Sequence, residues 1–369
     1  MKNIAIAIST MNRSDFVIRQ LEYYAKIKCP YPIYVGDASN EVHSQKIKKA
    51  IEDLSKDITV KYINHERFNT RSGIPKSHYD LYSKIKEEYC IFAGDDDYVI
   101  PDAIEKCAEF LEHNPGYSSA SGHSVSFRLM NSGVYGELRK VADYPNYSIE
   151  SNSAGQRLVD LWSRYYAVLF SVHRTKDLAK CWEQTHTVID DSFSVEYIPV
   201  SMSVVLGKAK ILDCLSIVRQ LGNEKVIGGL AFDWLINKDW IASYNTFSQI
   251  LAKEISKLDN ISEEEALKFP KLALATYLAK TLPGEYIPVP RTRASKLKIL
   301  RNKLGSVFPR FKGMYLGYKK PESFEVWHKK SPYYNDFKPI LESFTNIYRP
   351  YRDIQLIKKP KYSPLNWYN

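Results

Sequence analysis

Tyr89-Cys90-Ile91-Phe92-Ala93 is a compact apolar run that stops at Gly94 and delivers three consecutive carboxylates, Asp95, Asp96 and Asp97. An apolar run of this length, bounded by a turn residue, predicts a buried strand. Adjacent carboxylates repel one another, so the cluster is costly unless a cation or water screens it. Side chains alternate along an extended segment, which puts Asp95 and Asp97 on one side and Asp96 on the other. Two hard oxygen ligands on one side suit Mg2+ or Mn2+, completed by water and substrate phosphates. The plain alternative is an acidic turn ahead of the helix that Pro101-Asp102 opens.

The elements that must position this triplet alternate through the first 115 residues. Strand-like 3–9 leads to the polar loop Ser9-Thr10-Met11-Asn12-Arg13-Ser14-Asp15 and a helical stretch to about Lys28. Strand-like 31–36 ends in Asp37-Ala38-Ser39-Asn40, followed by a helical 43–55; strand-like 58–63 leads to a helical 76–87. The triplet follows a fourth strand, 89–93. Pro101 fits the first turn of the next helix, and Asn114-Pro115-Gly116 stops it. This spacing predicts an α/β fold with a mostly parallel sheet flanked by helices. Ligands bind such sheets outside the carboxyl ends of the strands, so all four polar loops fall on one rim. Asp37 would accept hydrogen bonds from a base or ribose there. Arg13, Asn69, Arg71 and Lys76, at or before helix starts, would meet a diphosphate. Each also has a mundane reading, Asp37 and Asp15 as turn residues and the cations as solvated charges.

The order IAIAISTMNR, YVGDAS, YCIFAGDDDYVIPDAIEKC resembles the nucleotide-sugar-binding half of GT-A glycosyltransferases, specifically the large family 2 of inverting enzymes, over residues 1 to about 220. The resemblance implies a Rossmann-like sheet of GT-A type. It implies that Thr10, Asn12 and Arg13 line the nucleotide pocket, that Asp37 holds the base, and that Asp95 and Asp96 lie on the ribose and diphosphate side. Asp97, with Asp95, would ligate the divalent cation, Mn2+ or Mg2+. GDAS departs from the family's two adjacent Asp, which leaves the nucleobase open. Further on, the family has a Glu-Asp pair opening a helix that ends at a Gly before a short strand. Residues 197–206 read as such a helix, Gly207 as its stop and 208–212 as the strand. The family's spacing puts Glu196 at the second acid, with Val195 at the first. Glu196 is then the implied general base, with Asp190 and Asp191 as alternatives; all three otherwise read as helix caps. Arg219 falls where the family often has a basic residue near the diphosphate. The implied activity is metal-dependent transfer of a sugar, with inversion, from a nucleotide-sugar to a hydroxyl of a glycan or lipid-linked acceptor in cell-surface polysaccharide synthesis. A sugar nucleotidyltransferase would need a Gly-rich loop after the first strand, and AISTMNR has no glycine.

The remaining sequence divides by composition. Residues 131–156, rich in Gly, Asn, Ser and Tyr, read as an excursion, and Trp162–Val172 as an aromatic segment mostly of core, which the resemblance would place on the acceptor side. Residues 223–290 read as a helical appendage, and 291–369 as a basic amphipathic helix with a Tyr/Pro-rich tail of no clear architecture. The net charge is +10 over 369 residues. Between Arg291 and Lys320 there are ten Lys/Arg and no Asp/Glu, so the charge belongs to one patch. Leu297, Leu300, Leu304, Val307 and Phe308 recur there at helical spacing, which fits peripheral contact with an anionic membrane surface. Nucleic acid is not expected, because aromatics enter that window only at Phe308, Phe311, Tyr315 and Tyr318. Five scattered cysteines without a CxxC pair fit neither zinc nor a disulfide framework and suit a reducing cytosol.

Overall fold

A computed structural model describes residues 3–66, 73–130, 133–190, 192–222, 230–286 and 331–345. Arg71, Asn69, Asp191 and the basic window 291–320 lie outside the described residues. The first half alternates as the spacing predicts: β1 (Ile4–Thr10), α1 (Ser14–Lys26), β2 (Ile33–Asp37), α2 (Glu41–Asp53), β3 (Val60–Asn64), α3 (Gly73–Lys84) and β4 (Tyr89–Gly94). Then come β5 (Asp97–Val99), α4 (Pro101–His113), β6 (Tyr117–Leu129), β7 (Leu138–Tyr144), α5 (Ala154–Ser163), β8 (Val172–Arg174) and α6 (Thr175–Trp182). A π-helical turn (Phe193–Tyr197) runs into α7 (Ile198–Leu206) and β9 (Lys208–Gln220). The helical periodicities beyond are α8 (Ala231–Leu235), α9 (Trp240–Asp259), α10 (Glu263–Ala266) and α11 (Lys268–Tyr286).

One sheet organises these elements, in the order β3-β2-β1-β4-β8-β6-β9-β5, with β7 on β6. β3, β2, β1 and β4 are parallel, and so are β6 and β9; β8 and β5 join antiparallel to their neighbours. β1 is apolar at every position from Ile4 to Ile8 because both its faces are covered. Alternation divides those residues between two cores. Ile4, Ile6 and Ile8 pack with α1 and α4, whereas Ala5 and Ala7 leave room for the large rings of Tyr82, Trp162 and Trp182 on the other face. α9 and α11 belong to that second core, and Gly155 of α5 lets α11 approach closely: a Cβ there would lie 2.4 Å from the Phe269 ring.

Three local readings are corrected. The excursion at 131–156 contains β7, hairpinned to β6 in register from Ser124↔Tyr144 to Leu129↔Leu138. The strand expected over 208–212 continues to Gln220, because it pairs along nearly all of β6 and then with β5. The tail contributes α12 (Tyr334–Thr345), whose Phe337, Ile340 and Phe344 are buried in the first core. Phe344 stacks on Phe127 at 4.4 Å, and Ser343 Oγ donates to the Tyr98 hydroxyl at 2.7 Å.

Candidate active site

The carboxyl ends of β1, β2 and β4 come together as the register dictates, with Thr10 opposite Asp37 and Ser9 opposite Gly94. β4 ends at Gly94, Asp95 and Asp96 make the turn, and Asp97 begins β5. The alternation expected of an extended segment therefore fails, because the chain turns at the triplet. Arg13 grips the first two carboxylates, with Nη1 2.6 Å from Asp95 Oδ1 and Nη2 2.8 Å from Asp96 Oδ2. Thr10 Oγ1 donates to Asp95 Oδ2 at 2.8 Å. Asp97 has its own cation, Arg219, whose Nε lies 3.1 Å from Oδ2. Gly94 makes room for this turn, since a Cβ there would come within 3.0 Å of Asp97 Oδ2.

Two residues that sequence reading missed hold the backbone of the triplet. Arg19 is wholly buried and donates to the Asp96 carbonyl (3.2 Å), the Val134 carbonyl and Gln220 Oε1 (2.7 Å). Gln20 Nε2 donates to the carbonyls of Gly94 (3.1 Å) and Asp97 (2.5 Å). The available signal was Gln20 on the same helical face as Val17, Leu21 and Tyr24, a polar side chain in an apolar stripe. Burial pushes the carboxyls of Asp95 and Asp97 above the usual carboxylate range. Arg13 and Arg219 respectively oppose that rise, and the neighbouring Asp96 adds to it.

Among the described residues no group of three or more His, Cys, Asp or Glu is arranged around a single cation position. The donor chemistry nevertheless fits a divalent ion shared with a substrate. Among the described residues Asp97 Oδ1 is a buried carboxylate oxygen with no side-chain hydrogen-bond partner. Mg2+-type sites use one or two carboxylates, with phosphates and waters supplying the rest. Asp97 and its neighbour Asp95 are the residues that would hold such an ion.

The other loop residues divide. Asp37 is fully buried, its Oδ1 accepting from the Ser39 N–H (2.8 Å) and its Oδ2 from the Ser44 and Tyr62 hydroxyls (2.8 Å each). Those bonds make it the organiser of the β2 loop. Asn12 adopts φ 59° and clasps that loop to β1: its N–H donates to Ser39 Oγ (2.6 Å), and its Oδ1 accepts from the Asn40 N–H (2.8 Å). Lys76 is exposed on α3, 3.9 Å from Glu66 and apart from the triplet's bonds.

A second acidic element lies within the field of Arg219. Glu196 is half-buried on the π-helical turn and accepts from the Tyr165 hydroxyl at 2.8 Å on Oε1. Such turns inside helices concentrate at functional sites. Burial raises the Glu196 carboxyl above its ordinary range, against the pull of the Tyr165 hydrogen bond and the Arg219 charge. Asp190 is instead a cap: Oδ1 accepts from the N–H groups of Ser192 (2.9 Å) and Phe193 (3.1 Å) and from Trp234 Nε1 (3.1 Å). Arg219 also donates to the Tyr144 hydroxyl (2.9 Å) and lies over the Phe170 ring at 3.6 Å. The aromatic segment thus divides, with Trp162 in the core and Tyr165 and Phe170 at the site.

No protein-family model matches the sequence, and no curated protein matches it. Among solved structures the chain is similar to S. aureus TarS residues 1–349 in complex with UDP-GlcNAc, with a TM-score of 0.50 at 15% identity over 84% of this chain and 82% of that one. The same protein without that ligand gives 0.47 at 14% identity over the same shares. The mannosyltransferase PcManGT from Pyrobaculum calidifontis, in complex with GDP-Man and Mn2+, gives 0.41 at 12% identity, again over 84% and 82%. The likeness to the TarS complex is one of fold. The chain shares that α/β fold, as the resemblance to GT-A glycosyltransferases implies.

Proposed function

We propose that this chain is a glycosyltransferase that moves a sugar, with inversion, from a nucleotide-sugar to a hydroxyl of a glycan or lipid-linked acceptor. The observation that carries the reading is the pairing of the Asp95–Asp97 cluster with Arg13 and Arg219, together with a second acid of different environment, Glu196, that lies within the field of Arg219. Such separation of carboxylates is how one site holds both an electrostatic anchor and a base. Thr10, Arg13, Asp95 and Asp96 line the donor side, where Arg13 can exchange its carboxylates for a diphosphate. A divalent ion held by Asp97 and Asp95 would neutralise charge on that diphosphate. Glu196 takes the proton from the acceptor hydroxyl as its oxygen bonds to the anomeric carbon, and the nucleoside diphosphate departs from the opposite face. Tyr165 fixes the carboxylate, and the aromatic faces of Tyr144 and Phe170 suit a sugar ring. Residues 1–222 hold this machinery, with the later helices buttressing α5 and α7. A role at the inner face of the membrane, in making a cell-surface glycan, is consistent with the basic window at 291–320.

The test is thermal stabilisation by UDP-, GDP-, dTDP- and CMP-sugars with and without Mn2+, followed by product analysis. Stabilisation by one donor class and release of its nucleoside diphosphate is the expected result. Release of pyrophosphate would transfer the assignment to a sugar nucleotidyltransferase, and absence of any stabilisation would sink the donor site.

A further inference from the structure

Of the large apolar side chains that stand out from the described surface, five crowd one shoulder. Ile189 is 67% exposed, and Leu230, Phe232, Ile236 and Ile241 are 45%, 50%, 66% and 68% exposed on and around α8 and the start of α9. Ile189 is tied to that shoulder through its neighbour Asp190, whose N–H donates to Ser243 Oγ at 3.1 Å and whose Oδ1 receives Trp234 Nε1. Beneath the patch, Trp234 packs on Trp240 at 5.7 Å and on Tyr197 at 5.3 Å. Tyr197 belongs to the same π-helical turn as Glu196, so the patch is packed against the element that carries the candidate base.

Single exposed leucines are ordinary, whereas a contiguous group calls for an occupant. The exposed parts of these five side chains amount to roughly 500 Å2, short of the about 800 Å2 that each partner of a stable dimer buries. The charged residues within 230–241 are Asp233, Lys238 and Asp239, which nearly cancel, so the shoulder carries no strong field of its own. Ile189, Ile236 and Ile241, each about two-thirds exposed, stand well out from the surface, the form that enters the apolar zone of a lipid interface. α11, which contacts α8, ends at Tyr286, and the chain then runs into the window with ten Lys/Arg and no acid, complementary to anionic headgroups.

The geometry points to this shoulder as a lipid-docking surface: Ile189, Leu230, Phe232, Ile236 and Ile241 enter a bilayer and hold the Glu196 side of the cleft toward an acceptor anchored there. The orientation toward an acceptor rests on the glycosyltransferase reading; the docking does not. The attachment is hydrophobic, so salt that releases the basic window leaves it in place.

The full chain is tested by co-sedimentation with phosphatidylcholine vesicles, and with vesicles also containing phosphatidylglycerol, at low and high salt. The unaltered protein is expected to bind neutral vesicles at high salt. The triple variant Phe232→Asp, Ile236→Asp, Ile241→Asp should lose tenfold or more of that binding while its thermal stability is unchanged. The single variant Ile241→Asp, least able to disturb folding, should lose a smaller share in the same assay. Equal binding by parent and triple variant would overturn the proposal. So would binding that needs phosphatidylglycerol and vanishes in salt, or a dimer by light scattering that the triple variant abolishes. Donor-dependent stabilisation, measured in parallel, separates the two readings: its absence beside intact vesicle binding removes the enzyme assignment and leaves the surface standing.

Discussion

Asp97 and Arg219 are directly opposite one another in the antiparallel pair β5–β9, and Arg219 Nε lies 3.1 Å from Asp97 Oδ2. The two residues are 122 positions apart in sequence. The cross-strand pairing fixes the last carboxylate of the triplet against a cation whose own hydrogen bonds and ring contacts extend to Tyr144 and Phe170.

Asp97→Asn keeps the shape of the side chain and an oxygen for Arg219 but removes the anion. Transfer is expected to fall about a hundredfold or more, as when an electrostatic anchor is lost from an active site. Asp97 is buried beside two further carboxylates that repel its charge, so the neutral side chain should leave thermal stability equal or higher. Steady-state kinetics beside a melting curve checks both; undiminished turnover would remove Asp97 from the mechanism.

Glu196→Gln should reduce turnover by roughly 10²–10⁴-fold with donor binding retained, the size of a lost general base. In the parent, activity falls as pH drops through a Glu196 pKa that burial has raised above the ordinary range. The Tyr165 hydroxyl stabilises the charged form, so Tyr165→Phe should raise that pKa further and move the acidic limb of the kcat/KM profile to higher pH. An unmoved limb would mean that another group sets the profile.

Acid should unfold the chain through two histidines kept neutral. His78, stacked on Trp182 at 4.3 Å, is held down to about 3, and His173 to about 4, in both cases by burial. An unfolded histidine titrates near ~6.5, so the unfolded chain binds the extra protons between the two values. Their stabilisation is complete above that pH and is lost as pH falls toward 4, by roughly 1.4 kcal/mol per pH unit for each group. Urea midpoints measured from pH 7 down to 4.5 test this, and His78→Phe should flatten the decline.

Phe344→Ala should cost about 3–5 kcal/mol, the usual cost of emptying a buried aromatic site. Its ring is fully buried against Phe127, and its helix reaches Tyr98, next to Asp97, through Ser343. The substitution should therefore weaken donor-dependent stabilisation as well as lower the urea midpoint. An unchanged midpoint would show that α12 adds nothing to the core.

The alternation of strands and helices, the rim on which Thr10, Arg13 and the Asp triplet meet, and the helical character of 231–286 are legible in the order of residues. These follow from periodic burial and from the rule that parallel strands share a carboxyl end, both of which are local or topological. Tertiary structure alone decided the partners. Register across strands leaves no trace in periodicity, so Asp97 opposite Arg219, β9 running on to Gln220, and Arg19 and Gln20 under the triplet could not be read from spacing. The same holds for Asp190, where only the positions of the Ser192, Phe193 and Trp234 N–H groups separate a cap from a base. The resemblance singles out Glu196, but its Tyr165 contact and its burial come from elements packed together in space. α12 lay hidden because its short apolar face gains meaning only against Phe127 and Tyr98, residues far away in the chain.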